Sequence, residues 1–286
     1  MKSTRRNFMK TAGAALGTAA LMSQFPMSSL AGEKKGPKDF GFQVWTIREE
    51  LVADFPGTLK KMAKMGYSQV EMCSPLGYSE SGFEPLNHMS GKEMRKIIED
   101  TGLTCVSSHY GMGELRESLD NRIEWATQLG MKQMVAASFW LAKDASVDDY
   151  RKAADELNSI GEKTKEAGIQ MVFHNHHMEF EKRGDELIYD ALLNQFDPDL
   201  VKMQFQVAVV NIGYNAADYF KKYPGRFQSA HLSDWSKAKD VQVPIGQGEV
   251  DWKEFFREAK NAGVKNYFVE MAPETFGPSA EYLMSL

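Results

Sequence analysis

One pattern recurs along this chain and limits what it can fold into: a helix-period segment ends in glycine, and a short apolar run follows at once. It appears as Lys64-Met65-Gly66-Tyr67, Asp100-Thr101-Gly102-Leu103, Gln128-Leu129-Gly130-Met131, Glu166-Ala167-Gly168-Ile169 and Asn261-Ala262-Gly263-Val264. Tyr223-Pro224-Gly225-Arg226 does the same with a proline stop. Glycine just past a helix end takes positive φ without a Cβ clash, which closes the helix and turns the chain. Such stops, about thirty to forty residues apart, mark successive βα units rather than a helical solenoid.

The apolar runs predict eight strands: Phe40–Trp45, Ser68–Met72, Leu103–His109, Lys132–Ala137, Ile169–His174, Val201–Val207, Phe227–Leu232 and Asn266–Met271. Eight strands alternating with helices predict an α/β fold, a closed parallel (β/α)8 TIM barrel, in one domain. An open doubly wound sheet would carry a phosphate-binding glycine loop after its first strand, and Trp45-Thr46-Ile47-Arg48 is not one. Gly77–Ser90 is a longer polar loop, placed to cover the carboxyl end of the barrel.

The first residues read as a targeting segment. Ser3-Thr4-Arg5-Arg6-Asn7-Phe8-Met9-Lys10 matches the twin-arginine export pattern, an Ala/Gly-rich stretch follows from Thr11 to Leu21, and Ser29-Leu30-Ala31 offers a cleavage site. The expected organisation is a signal peptide over residues 1–31, a linker over 32–39 and the barrel over 40–286, with release into the periplasm. The stretch is too short and too small-residue-rich for a stable membrane span. Lys2, Arg5, Arg6 and Lys10 are the only charged residues in that segment, so its removal takes the formal charge from −5 to −9. No basic tract stands elsewhere, which argues against a nucleic-acid partner. Cys73 and Cys105 are the only cysteines and read as buried free thiols.

In a parallel barrel the chemistry sits at the carboxyl ends of the strands. Five of the six histidines fall at or just past such ends, with the densest cluster in Phe173-His174-Asn175-His176-His177-Met178-Glu179-Phe180. The strand-end candidates are Trp45, Glu71, His109, His174, His176, Gln206, His231, Asp234 and Glu270. An unpaired imidazole or carboxylate ending an apolar run is costly to bury, and a metal ion or substrate hydroxyls would satisfy it. Glu71 and His109 have packing alternatives: a polar barrel-mouth residue and a hydrogen-bonded core histidine. Trp45 and Trp235 are placed either to stack on a sugar ring or simply to pack.

The ordered set Gly66-Tyr67-Ser68-Gln69-Val70-Glu71, Ser107-Ser108-His109, Phe173-His174-Asn175-His176, Lys222 to Asp234, Ile245 to Asp251 and Val269-Glu270 resembles the xylose-isomerase-like barrels. This is the sugar phosphate isomerase/epimerase superfamily, which also contains endonuclease IV. The resemblance implies a divalent metal held by Glu, Asp, His and Glu after strands five to eight. Carried over by position, His231 and Glu270 keep the pattern. His174 stands where the first Glu is expected and Gln206 where the Asp is expected. Losing two negative charges favours zinc, cobalt or manganese over magnesium. Glu179 can restore one carboxylate. Ser233 stands where many relatives have lysine, which weakens a phosphate-binding role.

The expected activity is a metal-dependent sugar isomerase/epimerase acting on a non-phosphorylated sugar or keto-sugar, with Glu270, His176 and Glu179 as acid–base residues. The metal ligands would be His174, Gln206, His231 and Glu270, and Trp45, Glu71, His109, Asp234 and Trp235 would line the substrate. A lyase or hydratase acting on 3-keto-glycosides is the alternative, since one strong base plus a histidine suits elimination. An exported sugar-binding protein without turnover is a further class. The negative charge argues against a nuclease. The short helix from Pro278 to Leu286 leaves the barrel either loosely closed or sealed by a partner in a homo-oligomer.

Overall fold

The computed structural model describes residues 37 and 39–286. The expected signal segment, and all but residues 37 and 39 of the linker, lie outside the described residues. Eight parallel strands close into a barrel: β1 (Gly41–Gln43), β2 (Gln69–Cys73), β3 (Thr104–Tyr110), β4 (Gln133–Ala137), β5 (Gln170–His174), β6 (Val201–Gln206), β7 (Phe227–Leu232) and β8 (Asn266–Val269). Each overlaps an apolar run read from sequence.

The helices are α1 (Arg48–Ala53), α2 (Phe55–Lys64), α3 (Gly91–Glu99), α4 (Met112–Leu129), α5 (Val147–Glu166), α6 (Ile188–Gln195), α7 (Ala216–Lys222), α8 (Trp252–Ala262) and α9 (Phe276–Ser285). Their ends follow local chemistry. Ser90 with Glu93 and Ser146 with Asp149 form capping boxes that satisfy the first N–H groups of α3 and α5. Gly130 and Gly263 end α4 and α8 at φ 87° and 82°, where a Cβ would be strained. Helix α8 turns Trp252, Phe255, Phe256, Ala259 and Ala262 inward at helical spacing. Burying each large apolar side chain of that face contributes roughly 1.5–3 kcal/mol.

The barrel closes firmly. β1 pairs with β8 through Gly41↔Phe268 and Phe42↔Val269. A Cβ on Gly41 would lie 2.7 Å from the Phe268 ring and 2.8 Å from Gln69 O, so only glycine admits this approach. The expected loose closure at the C-terminus is corrected. Helix α9 begins at Phe276, its Phe276, Ala280 and Leu283 are buried, and Tyr67 Oη donates to Phe276 O at 3.0 Å. The seam is thus sealed from within the chain.

Two short hairpins decorate the carboxyl end, Lys182–Arg183 with Glu186–Leu187 and Asp234–Ser236 with Val241–Val243. Cys73 and Cys105 are free and buried, as expected. Among the described residues no helix is long and apolar enough to cross a membrane.

Candidate active site

Side chains on one face of a strand repeat every second residue. The pairing register sorts the inward-facing polar residues into layers. Gln43 lies beside Glu71, Glu71 beside Ser107, and Ser107 beside Gln133. Gln204 lies beside Ser229. One layer nearer the mouth come His109, Gln206 and His231, with Gln206 beside His231. Glu270 follows the last paired residue of β8.

The lower layer is a closed hydrogen-bond network in the barrel axis. Ser107 Oγ donates to Glu71 Oε1 at 2.5 Å, and Gln204 Nε2 donates to the same oxygen at 2.8 Å. Gln133 Nε2 donates to Ser107 Oγ and Ser229 Oγ at 2.8 and 2.9 Å. Gln204 Nε2 also reaches Ser229 Oγ at 3.0 Å. This network meets the upper layer through His109 and His231, and His109 Nε2 also lies 3.2 Å from Glu71 Oε2. His109 Nε2 donates to Gln204 Oε1 at 3.0 Å, and His231 Nε2 donates to Glu71 Oε2.

His231 is clamped at both ends, since its Nδ1 donates to Glu270 Oε2 at 2.9 Å. Burial opposes charge on His231, but the carboxylates of Glu71 and Glu270 outweigh it and push its pKa up to about 10. Burial likewise opposes the charge on Glu71 and Glu270. The adjacent imidazoles, His109 and His231 for Glu71 and chiefly His231 for Glu270, together with their hydrogen bonds, hold both carboxyls below the usual range.

Two other imidazoles stay neutral. Burial, reinforced by the neighbouring histidines, drives His174 well below its ordinary value. Burial lowers His176 to about 4. His109, His174 and His231 each offer a ligand atom, all within 4.8 Å of one another. His174 Nδ1 is buried without a hydrogen-bond partner. A neutral imidazole with an unused buried lone pair is the form that ligates metal. His174 therefore fits a divalent cation, with His109 beside it and Glu270 at the rim; His231, whose two ring N–H groups are both engaged by carboxylates, joins the set only by giving up a proton.

Several sequence expectations change. Gln206 presents no free carbonyl to the histidines: its Nε2 donates to Glu270 Oε2 at 2.7 Å and its Oε1 accepts from Ala208 N at 3.2 Å. It positions Glu270. Glu71, expected to line the substrate, lies fully buried beneath His231 with its acceptors engaged. His109, also expected against substrate, joins the imidazole cluster and stacks on His231 with ring centroids 5.2 Å apart.

Glu179 is fully buried away from that cluster. It accepts from Ser138 Oγ and, at 2.7 Å, from His176 N. Burial pushes its carboxyl up to about 7, against those hydrogen bonds. It holds the turn carrying His176. Trp45 packs edge-on to Tyr78 of the Gly77–Ser90 loop at 6.0 Å, with the Arg48 guanidinium 4.7 Å above its ring. Trp235 remains half-buried on the second hairpin.

Asp234 is a loop staple. Its two oxygens accept from the backbone N–H groups of Trp235, Gly246, Gly248 and Val250 and from Trp252 Nε1, at 2.9–3.3 Å. Gly248 can approach because a Cβ there would lie 2.2 Å from Asp234 Oδ1. With five donors already seated, the carboxylate has little capacity left for substrate. Asp234→Ala is expected to cost about 3 kcal/mol, because buried donors lose their acceptor. Chemical denaturation checks this, and a loss below about 0.5 kcal/mol, the range of ordinary surface changes, would remove the staple role.

Sequence reasoning missed Ser107, Gln133, Gln204 and Ser229. A signal was available: Ser107, Gln204 and Ser229 stand two residues before His109, Gln206 and His231, on the same strand face. It also missed Trp140. Ser138 and Trp140 follow β4 in the left-handed region, at φ 58° and 51°. Non-glycine residues held there cost of order 1–3 kcal/mol each and cluster at functional sites.

Comparison with known proteins places the fold. Residues 59–284 match the family model described as xylose isomerase-like TIM barrel. An inosose dehydratase from Clostridium perfringens is 25% identical over 145 residues, covering 44% of this chain and 48% of that protein. The match thus spans about half the length of this curated relative. A sugar phosphate isomerase/epimerase structure from Parabacteroides distasonis is 26% identical, with a TM-score of 0.72 over 91% of this chain and 98% of that one. A probable 3-DHS dehydratase from Bacillus anthracis, 13% identical with a TM-score of 0.66 over 86% of this chain and 98% of that one, shares the fold.

Proposed function

The chain belongs to the xylose isomerase-like TIM barrel family, and from that premise we propose that it is a divalent-metal-dependent lyase acting on a non-phosphorylated keto-sugar. One observation carries the choice of lyase over epimerase: Glu270 is the one carboxylate of the cluster with access to the mouth. Its side chain is 16% exposed, whereas Glu71 and Glu179 are sealed. Epimerisation calls for two groups on opposite faces of the reacting carbon. A syn-elimination needs only one.

Glu270 takes the proton from the carbon beside the keto group, where Gln206 and His231 orient it. The C–H electron pair forms the C=C bond as the β C–O bond breaks. The proton on Glu270 then passes to the departing oxygen, giving water or an alcohol, so one residue serves as base and acid. His176 is neutral and unpartnered at its buried Nδ1, and it hydrogen-bonds the substrate near the leaving group. A bound cation would supply positive charge for the substrate's keto oxygen. His174 and His109 would hold it, with His231 joining once it releases a ring proton, a set that suits zinc, cobalt or manganese better than magnesium.

The twin-arginine pattern supports export to the periplasm, and Ser233 in place of a lysine supports a substrate without phosphate. The isomerase/epimerase expectation retains one specific support, the Parabacteroides structure matched along nearly its full length.

Incubation with a 3-keto-glycoside in D2O separates the two. The expected result is an enone absorbing in the ultraviolet, with release of water or the aglycone, in protein that retains one ion per chain by elemental analysis. The ion should be lost in His174→Ala. Recovery of an epimerised, deuterated substrate without enone would overturn the lyase reading.

A further inference from the structure

Trp140 is the most exposed large apolar side chain among the described residues, with 64% of its surface open to solvent. Its outward position is enforced. Ser138 N donates to His174 O at 3.0 Å and Ser138 Oγ donates to Glu179, which fixes the residue two before it. Phe139 is buried against Phe173, with ring centroids 4.7 Å apart, and faces Phe196 at 6.3 Å. With Phe139 anchored inward, the left-handed backbone at Trp140 swings the indole over His176, with centroids 5.0 Å apart and planes at 49°. His176 in turn lies 4.9 Å from His174, and His174 4.4 Å from His231.

The rim shares this character. Of the other exposed large apolar residues among those described, Leu76, Ile212 and Val241 lie in the segments that follow β2, β6 and β7, at the same end of the barrel, and Met284 lies elsewhere, on α9. The throat is polar and ionised, yet its mouth is edged with apolar surface.

We propose that Trp140 is a stacking platform for a second ring of the substrate, so that the substrate is a glycoside with a ring-bearing aglycone and not a free monosaccharide. The inference rests on the sugar-enzyme reading above and names the substrate class for that site. A single sugar ring bound at His231 and Glu270 ends near His176 and leaves the indole bare. A ring joined to it continues onto Trp140. A flat indole face meets the C–H face of a pyranose or an aromatic ring with little ordering cost. In the elimination proposed above, the aglycone oxygen is the leaving group and departs as an alcohol from beneath Trp140.

The test compares the 3-keto forms of methyl β-D-glucoside, phenyl β-D-glucoside and cellobiose, by calorimetry on metal-loaded protein carrying Glu270→Gln, which binds without turnover and serves as the parent of the Trp140 variants. In the parent, the two-ring ligands are expected to bind at least tenfold more tightly than the methyl glycoside. Trp140→Ala should remove that advantage and leave the methyl glycoside within twofold. Trp140→Phe should retain most of it, a rescue that a folding defect would not show. Equal affinities of the parent for one-ring and two-ring ligands would overturn the platform while leaving the sugar-enzyme reading in place. Failure of the parent to bind any of the three would overturn both. A dimer that becomes monomeric in Trp140→Ala would assign the indole to a contact between copies and also overturn the platform.

Discussion

Glu270→Gln is expected to lower kcat by about three orders of magnitude, within the usual range for removal of a positioned acid–base group, and to leave the barrel folded. The substitution keeps the shape of the side chain but abolishes its basicity. Gln206 Nε2 and His231 Nδ1 both donate to Glu270 Oε2, at 2.7 and 2.9 Å, and a glutamine oxygen accepts from both. Glu71 still faces His231 from below, so the imidazolium is not left alone in the core. The loss should therefore fall on kcat, with KM within severalfold of the parent. That split separates lost proton transfer from lost binding. Steady-state kinetics beside a thermal melt checks it. Retention of more than a tenth of parental kcat would remove Glu270 as the base and with it the single-carboxylate elimination.

Most of this architecture was legible because period and punctuation agree. All eight strands were readable from short apolar runs, six of them preceded by a glycine stop, and Gly66, Gly102, Gly130, Gly168, Gly225 and Gly263 all adopt positive φ in the structure. The convergence of His109, His174, His231 and Glu270 followed from strand ends meeting at one mouth.

What did not follow was depth along the barrel axis. Glu71 reads as a strand-end residue, yet it pairs in register with Ser107, while Cys73 pairs with His109. That places Glu71 a full layer below the mouth. Strand stagger in a tilted barrel sets such depth, and it is not written in any one strand. The roles of Gln206, Glu179 and Asp234 were hidden for a related reason. Each carboxylate or amide is consumed by backbone N–H groups of its own turn or loop, or by a neighbour it positions, and strand periodicity carries no information about loop closure.

Glu71 therefore yields the largest expected effect on stability. Glu71→Ala removes one of two carboxylates flanking a fully buried His231 and strips Ser107 and Gln204 of their shared acceptor. Breaking a buried pair from one side typically costs 3–5 kcal/mol. At roughly 2–4 °C per kcal/mol for a domain of this size, the melt should fall by about 10 °C. Glu71→Gln, which keeps an acceptor, should lose less.

The pH dependence identifies the cause. His231 is raised to about 10 from 6.5, so its contribution is complete below about 6.5 and drains away as pH rises through 10. Glu71 is depressed below 4.5, so its contribution is present above about 4.5 and is lost as pH falls through its folded value. Together they predict a stabilisation greatest between about pH 4.5 and 6.5. His174 and His176, lowered by burial, weaken the fold as pH falls below 6.5. Glu179, raised to about 7, weakens it as pH rises from 4.5. The difference in melting temperature between parent and Glu71→Gln, measured on chelator-treated protein, subtracts these common contributions. That difference should be largest in mild acid and shrink steadily toward pH 10. A difference constant from pH 5 to 9.5 would mean that Glu71 and His231 meet as neutral hydrogen-bond partners, and the ionised clamp beneath the imidazole cluster would have to be abandoned.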